Sequence, residues 1–206
     1  MSQVLIEPQV SSGYVTLRTS PAIELTDDEF FALCQLNSDL RLERTSQGDI
    51  IIMAPTGAET GNRNADITAQ LVTWTKRDGT GAAFDSSTGF KLPNGADRSP
   101  DGAWVRKLRL ATLTREQKLK FLPLCPDFVI ELLSPTDTLA ATQAKMDEYI
   151  ENGAQLGWLL DPETRSVHVY RPDATVTVLQ NVREISADPE LPGFVLDLRE
   201  IWEPNI

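Results

Sequence analysis

Length, composition and charge bound what this chain can be. It has 206 residues, of which 41% are hydrophobic, so it can bury one sizeable core, and we expect a single domain over residues 1–206. Its formal net charge of −11 argues against a protein that coats nucleic acid without specificity, because neutralising phosphates needs Lys and Arg. No run of about 18 apolar residues is present, so the sequence predicts no membrane span.

The N-terminal segment and the cysteines indicate a reducing, cytoplasmic setting. Residues 1–19 lack a basic region followed by an apolar run, so we expect no signal peptide. We expect residues 1–20 to be extended or loosely attached. Cys34 and Cys125 show no metal-binding spacing, and we expect both thiols to stay reduced.

The first part of the chain predicts two helices separated by a β-hairpin. Thr26 precedes three acids, which is typical of a helix start, and this helix should run to about Asn37. Strands near residues 40–44 and 49–53 should form the hairpin. A second helix is expected from about residue 59 to residue 76, where Asp78-Gly79 ends it.

The rest of the chain predicts a series of strands and one longer helix. Short strands are expected near residues 81–85 and 89–91, and another opens at Asp101. A strand at 127–133, a helix at 139–151 and a strand at 157–160 should form a right-handed parallel crossover. A hairpin at 166–179 and a strand with a short helix at 191–202 follow. We therefore predict an α/β (α+β) fold, with a core at about 24–171 and C-terminal strands and a short helix in 172–206.

Glu131 is the most informative residue of this sequence. It lies inside the run 127–133, in which five of the seven residues are apolar, as in a buried strand. Burying an unpaired carboxylate is unfavourable, so a cation, a metal ion or several hydrogen-bond donors should surround it. A structural ion pair with a buried Arg or Lys is the plain alternative. A buried acid of this kind is a candidate for a functional site.

A basic segment precedes the Glu131 strand. Between Arg98 and Lys120 the chain carries seven Lys and Arg residues against two acids, Asp101 and Glu116. This segment is either a solvated helix and loop or a local surface that binds phosphate groups.

Three residues of the predicted layout suit metal-assisted hydrolysis of a phosphodiester. Asp101 opens one strand, Glu131 lies in the next, and Lys145 flanks the buried face of the following helix. Carboxylate oxygens suit Mg²⁺ (or Mn²⁺), and a lysine can orient the attacking water or stabilise developing negative charge. Gln143, inside the apolar stripe of that helix, and Tyr149, four residues after Lys145, are further candidates. The single histidine, His168, is expected to be structural.

Four segments together resemble the Uma-type family of the restriction-endonuclease-like PD-(D/E)xK superfamily. The similarity extends from about Glu24 to Arg171, and the order and spacing of the segments make it specific. The segments are Ser99-Pro100-Asp101, residues 126–135 around Glu131, residues 145–149 and residues 157–162.

The resemblance implies a central mixed sheet flanked by helices and a Mg²⁺-dependent nuclease. Carried over residue by residue, it makes Asp101 the first acid and Glu131 the second. The superfamily's usual lysine position, two residues after the second acid, is Leu133 here, and the resemblance assigns that lysine to the following helix as Lys145. An additional acid from the first part of the domain is common in the superfamily, and Glu43 and Glu59 are both candidates.

The sequence thus favours an endonuclease that acts on DNA, as a homodimer whose two-fold symmetry would suit a duplex. Two alternatives stay open. The absence of a lysine at Leu133 and the net acidity are compatible with a catalytically inert nuclease-fold module that binds or assembles. A hydrolase of a small phosphorylated compound is the other reading.

Overall fold

The computed structural model describes residues 13–19 and 22–206, and in these ranges it contains five α-helices and thirteen β-strands, numbered here in chain order. The helices are α1 Asp27–Leu36, α2 Ala58–Asp78, α3 Lys107–Ala111, α4 Leu139–Glu151 and α5 Arg199–Trp202, with a 3₁₀ turn at Gln117–Leu119. The strands are β1 Tyr14–Leu17, β2 Arg41–Arg44, β3 Ile50–Met53, β4 Gly81–Asp85, β5 Phe90–Lys91, β6 Asp97–Arg98, β7 Gly102–Arg106, β8 Phe128–Leu132, β9 Leu156–Asp161, β10 Ser166–Tyr170, β11 Thr177–Gln180, β12 Glu184–Ser186 and β13 Val195–Asp197.

The largest sheet has six strands in the order β11-β10-β9-β8-β7-β4. Strands β8 and β9 run parallel across the α4 crossover, and the other neighbouring pairs are antiparallel. Helix α2 packs against β4 and β7, and α4 packs against β8, β9 and β10. The predicted mixed sheet flanked by helices is therefore confirmed.

Alternation along β8 decides which face of this sheet each side chain meets, because successive residues of a strand point to opposite sides. Phe128 and Ile130 join Ile67 of α2 in one apolar cluster. Val129 joins Met146 of α4 in another. Glu131 follows the alternation of Val129 and points to the α4 face, where it is buried.

A second, antiparallel sheet has the order β1-β3-β2-β6-β5. It contains the predicted hairpin, β2 with β3, and Leu42 of β2 packs with Phe30 of α1 and with Ile50. By alternation, Arg41 and Glu43 lie on the opposite side of β2 from Leu42. That side faces the end of the large sheet where β8 carries Glu131.

Local sequence signals account for several element boundaries. Thr26 caps α1 in a capping box with Glu29, as the acids after it indicated. Helix α2 ends at Gly79, whose φ of 75° is a left-handed conformation that glycine adopts readily. Helix α4 runs over the predicted residues 139–151, with the Thr138 side chain accepting a hydrogen bond from Ala141 N.

The short elements differ from the sequence expectation. Residues 14–17, expected to be extended or loosely attached, form strand β1 paired with β3, and residues 1–12 and 20 of that segment lie outside the described residues. The C-terminal part holds a two-stranded sheet, β12 with β13, where one strand was expected. Strands β6 and β12 were not predicted, because two or three residues show no periodicity. Cys34 and Cys125 are both free, and no helix in the described ranges is long and apolar enough to cross a membrane.

Candidate functional site

Asp101 and Glu131 lie side by side at one end of the large sheet. Gly102 of β7 pairs with Ile130 of β8, and continuing that antiparallel register by one residue sets Asp101 opposite Glu131. The backbone N–H of Leu132 donates to Asp101 Oδ2 at 2.9 Å, which fixes this carboxylate against the β8 backbone. Both acids are buried, each with a relative exposure of 6%. The two acids predicted from the sequence thus come together in the fold.

Lys145 of α4 lies over these strands and joins a third acid to them. Its Nζ is 2.8 Å from Glu131 Oε1 and 2.9 Å from Glu43 Oε1. Helix α4 therefore places a lysine against Glu131, although Leu133 occupies the position two residues after Glu131 where the resemblance expects one. Of the two candidates for an additional acid, Glu43 is the one in this cluster.

Glu43 is held from several sides. It is 2% exposed, and its Oε1 also accepts a hydrogen bond from the backbone N–H of Ser99 at 2.9 Å. Arg98 lies 3.2 Å from Glu43 Oε2, and the Nε of the same arginine lies 2.6 Å from Glu148 on α4. Glu43 and Arg98 therefore tie the second sheet to α4 next to Lys145.

Tyr149, one turn after Lys145, completes the contacts of Glu131. Its hydroxyl donates to Glu131 Oε1 at 2.9 Å, and its side chain is fully buried. The second oxygen of Glu131, Oε2, has no hydrogen-bond donor within the described part of the chain. One oxygen of Glu131 is thus committed to protein contacts and the other is not.

Two residues that contact Asp101 were missed by sequence reasoning. Arg41 of β2 lies 3.4 Å from Asp101 Oδ1 through its NH1, and its NH2 donates to the carbonyl oxygen of Ser99. Asn64 of α2 donates from Nδ2 to Asp101 Oδ1 at 3.2 Å. The sequence pattern could have indicated Arg41, because it lies two residues before Glu43 on the same side of a strand. No sequence pattern indicated Asn64, because polar residues are common on the solvent-facing side of a helix whether or not they belong to a site.

Burial and charge act in opposite directions on the two glutamates that share Lys145. Burial raises the pKa of Glu131 to about 7; Lys145 opposes the rise, whereas Asp101 and Glu43 add to it. Burial would also raise the pKa of Glu43, but the charges of Lys145, Arg98 and Arg41 lower it to about 2. For Lys145, burial would lower the pKa, but Glu131 and Glu43 raise it, so the ammonium stays charged.

Other candidates from the sequence lie away from this cluster. Glu59 is exposed and pairs with Arg63 one turn along α2. Gln143 is partly exposed and makes no hydrogen bond with the described residues. His168 is buried in β10, where burial lowers its pKa.

The basic segment 98–120 is largely occupied by contacts within the protein. Arg106 and Arg109 pair with the buried Asp127 at the start of β8. Lys120 pairs with Asp28 and Glu116. Lys107 donates to the carbonyl oxygen of Gly79. Most of these charges are therefore matched by acids or carbonyls, which favours the plain reading of a solvated helix and loop.

The donor set around Asp101 fits a hard divalent cation held by few protein ligands. In the described ranges, no group of three or more His, Cys, Asp or Glu side chains could hold a metal ion. Mg²⁺ nevertheless binds through one or two carboxylates and keeps several waters. Glu131 Oε2 accepts no hydrogen bond from the described residues, and the buried Asn64 Oδ1, beside Asp101, also lacks a hydrogen-bond partner among them. Asp101 and Glu131 are the residues that would hold such a cation.

The fold and the paired acids define a restriction-endonuclease-like class of protein. Residues 27–199 match the family described as "Uma2: Putative restriction endonuclease", and the chain belongs to that family. The fold is similar to that of a solved structure from Anabaena variabilis ATCC 29413, titled as a putative nuclease belonging to DUF820. The two share 20% sequence identity with a TM-score of 0.71, over 86% of this chain and 97% of that chain. No curated protein matches the sequence.

Proposed function

We propose that this protein is a Mg²⁺-dependent (or Mn²⁺-dependent) endonuclease that hydrolyses phosphodiester bonds in DNA. One observation carries the proposal: Asp101, directly before β7, lies opposite Glu131 of the adjacent strand β8, and the Lys145 ammonium is 2.8 Å from Glu131. Asp101 and Glu131 would hold the cation. When bound, that cation supplies a Lewis acid that polarises the phosphoryl group and acidifies a water.

The protein's own residues would fix the geometry of the reaction. Lys145 has three N–H donors, and Glu131 and Glu43 accept from two directions, so one donor stays available for the attacking water or a phosphate oxygen. Glu43 keeps its negative charge because of the three cations around it, and it therefore holds Lys145 in place. Tyr149 orients Glu131 through its hydroxyl.

Cleavage assays on matched variants test this proposal. Supercoiled plasmid, linear duplex and single-stranded DNA would each be incubated with purified protein and Mg²⁺ or Mn²⁺. We expect Asp101→Asn and Glu131→Gln to lose at least about a hundredfold in rate, since each removes an interaction with developing charge. Lys145→Met should lose a comparable factor.

Glu59→Gln is the control variant, because Glu59 is an exposed acid outside the cluster. It should cleave at the wild-type rate, and its thermal melt should match that of the wild type. Equal cleavage by the wild type and Asp101→Asn would show that any nuclease activity in the preparation does not come from this site.

A catalytically inert module that keeps the nuclease fold is the second candidate function. It is favoured by the ion pairs of Lys145, which already join Glu43 and Glu131 without a metal ion. Titration calorimetry with Mg²⁺ and Mn²⁺ separates the two functions. Heat of binding that Asp101→Asn abolishes supports the enzyme, whereas a folded wild-type protein that gives no heat supports the inert module.

We also propose that the protein acts as a homodimer on duplex DNA. Strand β11 is an edge of the large sheet in the described structure, and it exposes Val178, two residues after the exposed Val176, so it offers its outer edge to a second copy. Light scattering after size exclusion would give the mass in solution. A Val178→Lys variant should shift that mass from dimer to monomer, and a monomeric wild type would end this part of the proposal.

A further inference from the structure

The three cations of the acidic cluster differ in how firmly they are bound. Lys145 lies within 2.9 Å of two carboxylate oxygens, and Arg98 lies 2.6 Å and 3.2 Å from two others. Among the described residues, Arg41 has a single carboxylate contact, with Asp101, at 3.4 Å. At that distance the hydrogen bond is weak compared with an ordinary charged pair of about 2.7–2.9 Å.

Arg41 also has donors that are not used. Its NH2 donates to the carbonyl oxygen of Ser99, but its Nε is buried and finds no acceptor among the residues that the structure describes. A buried N–H without an acceptor is unfavourable, so a small movement that gave this guanidinium an anion would be favoured. The neighbouring Asn64 Oδ1, also without a partner, shows that the packing around Asp101 is incomplete on this side.

Arg41 is also the most solvent-exposed of the three cations. Its side chain is 31% exposed, compared with 17% for Lys145 and 11% for Arg98. A DNA backbone approaching the acids from solvent would therefore reach Arg41 before the other two cations. Its planar fork of N–H donors also matches two oxygens of a phosphate group.

Charge balance indicates what Arg41 would bind. With Glu131 ionised, as it would be when it holds a metal ion, Glu43, Asp101, Glu131 and Glu148 face three cations, which leaves the cluster one negative charge. A divalent cation on Asp101 and Glu131 would turn this into one positive charge, and it would also compete with Arg41 for Asp101. One phosphodiester anion would restore neutrality and accept the donors that Arg41 releases.

We propose that Arg41 is the substrate-binding residue that holds the phosphodiester next to Asp101 and Glu131. This inference rests on the proposed nuclease function and adds to it a residue that was not predicted from the sequence. It makes opposite predictions for two ligands. Removing Arg41 should weaken the binding of DNA and leave the binding of a divalent cation as tight as before, or tighter, because a competing cation beside Asp101 is gone.

The test measures both ligands on the full-length protein. Anisotropy of a fluorescein-labelled 20-base-pair duplex would be recorded with Ca²⁺ in place of Mg²⁺, with a gel to verify that the duplex stays intact. Calorimetry would give the affinity for Mn²⁺ without DNA. For Arg41→Ala we expect about tenfold weaker binding of the duplex, as for a lost charged hydrogen bond, together with an undiminished Mn²⁺ affinity. In cleavage assays its KM should rise more than its kcat falls.

Two further variants keep the test decisive. Arg41→Lys retains the charge but not the fork, so it should weaken duplex binding by a smaller factor, and it serves as the test if Arg41→Ala does not fold. Arg106→Ala is the matched control, because Arg106 is an exposed arginine at the far end of β7 from Asp101, where it pairs with Asp127. It should bind the duplex as the wild type does.

Each outcome bears on a separate claim. If the wild type binds and cleaves DNA while Arg41→Ala behaves like Arg106→Ala, the role of Arg41 is wrong and the nuclease function stands. Arg41 is a structural residue if two results are found together. Arg41→Ala would bind neither Mn²⁺ nor DNA and would melt at a lower temperature, while Arg41→Lys would match the wild type. If the wild type binds neither duplex nor Mn²⁺, both proposals fail.

Discussion

The same strands of the large sheet meet two different environments on their two faces. On the α2 face, Phe128 and Trp158 pack against Phe194 of the C-terminal segment, with ring centroids 4.8–6.0 Å apart. On the α4 face, Val129 packs with Met146 in an apolar cluster. Two residues further along β8, Glu131 belongs to a cluster of charged side chains on the same face. Strand β8 contributes to both within five residues.

The difference shows that one face of the sheet stabilises the fold, whereas the other face carries the charged side chains of the candidate site. The α2 face buries large apolar area, and such burial stabilises the fold without directional requirements. The end of the face that α4 covers holds four acids and three cations whose positions depend on each other. Burying any one of these charges without its partners would be unfavourable. Substitutions on the first face should therefore change stability alone, and substitutions on the second should change ligand binding and pH dependence.

The largest expected effect on stability is that of Trp158→Ala. Trp158 is fully buried, and truncation of such a residue removes apolar contacts and leaves a cavity, which should lower the free energy of unfolding by about 3–5 kcal/mol. Urea denaturation gives this value. The Mn²⁺ affinity of the folded variant should stay at the wild-type value, because Trp158 faces away from Glu131.

Trp158→Phe is the conservative companion to this variant. It keeps an aromatic ring against Phe128, and it forfeits no hydrogen bond, since Trp158 Nε1 has no acceptor in the described part of the protein. Its loss of stability should be clearly smaller than that of the alanine variant. A Trp158→Ala protein that is fully stable but unable to bind Mn²⁺ would contradict the claim that the α2 face determines stability and not ligand binding.

The next effect is the pH dependence that Glu43 gives to the charged face. Its pKa is about 2 in the folded protein, below the ordinary value near 4.5, because of Lys145, Arg98 and Arg41. Unfolding at acid pH therefore takes up a proton, so this contribution is present above about pH 4.5 and is lost as pH falls towards 2. A shift of this size corresponds to about 3 kcal/mol.

The difference in unfolding free energy between wild type and Glu43→Gln, measured from pH 3 to pH 6, contains this contribution together with the effect of Glu43 on the pKa of Glu131. The difference should grow with rising pH, with the wild type the more stable at pH 6. Trp158→Ala, as the comparison from the apolar face, should be less stable than the wild type by the same amount at every pH. A Glu43→Gln difference that is flat over this range would contradict the ion-pair role of Glu43.

The two faces also differ in how far the sequence predicted them. The apolar face and the helix that covers the other face followed from local patterns: the run around Glu131, the buried strand at 157–160 and the helix at 139–151 each have the length and composition of a core element. Glu131 was predicted because a carboxylate in an apolar strand demands a partner, and Asp101 was predicted from its place at the start of the preceding strand and from the family resemblance. The structure places them together with Lys145 from α4.

The remainder of the charged cluster could not be predicted, because it depends on contacts between distant segments. Arg41 approaches Asp101 across 60 positions of the sequence, and Asn64 approaches it across 37. No local pattern distinguished Glu43 from Glu59 as the additional acid. The choice is made by the second sheet, which carries β2 to the end of β8, whereas Glu59 lies on the exposed first turn of α2.

The smallest expected effect is that of Tyr149→Phe, which removes one hydroxyl from the charged face and leaves its shape unchanged. The hydroxyl donates to Glu131 Oε1 at 2.9 Å inside a fully buried site, so its loss should lower the free energy of unfolding by about 1–2 kcal/mol. Tyr170→Phe is the matched control, because Tyr170 packs in the same apolar cluster and its hydroxyl has no hydrogen-bond partner among the described residues. If Tyr149→Phe and Tyr170→Phe unfold at the same urea concentration and Tyr149→Phe cleaves DNA at the wild-type rate, Glu131 is oriented by Lys145 alone. If instead only Tyr149→Phe loses stability and cleaves more slowly, the hydroxyl is part of what orients Glu131, and the charged face depends on neutral donors as well as on ions.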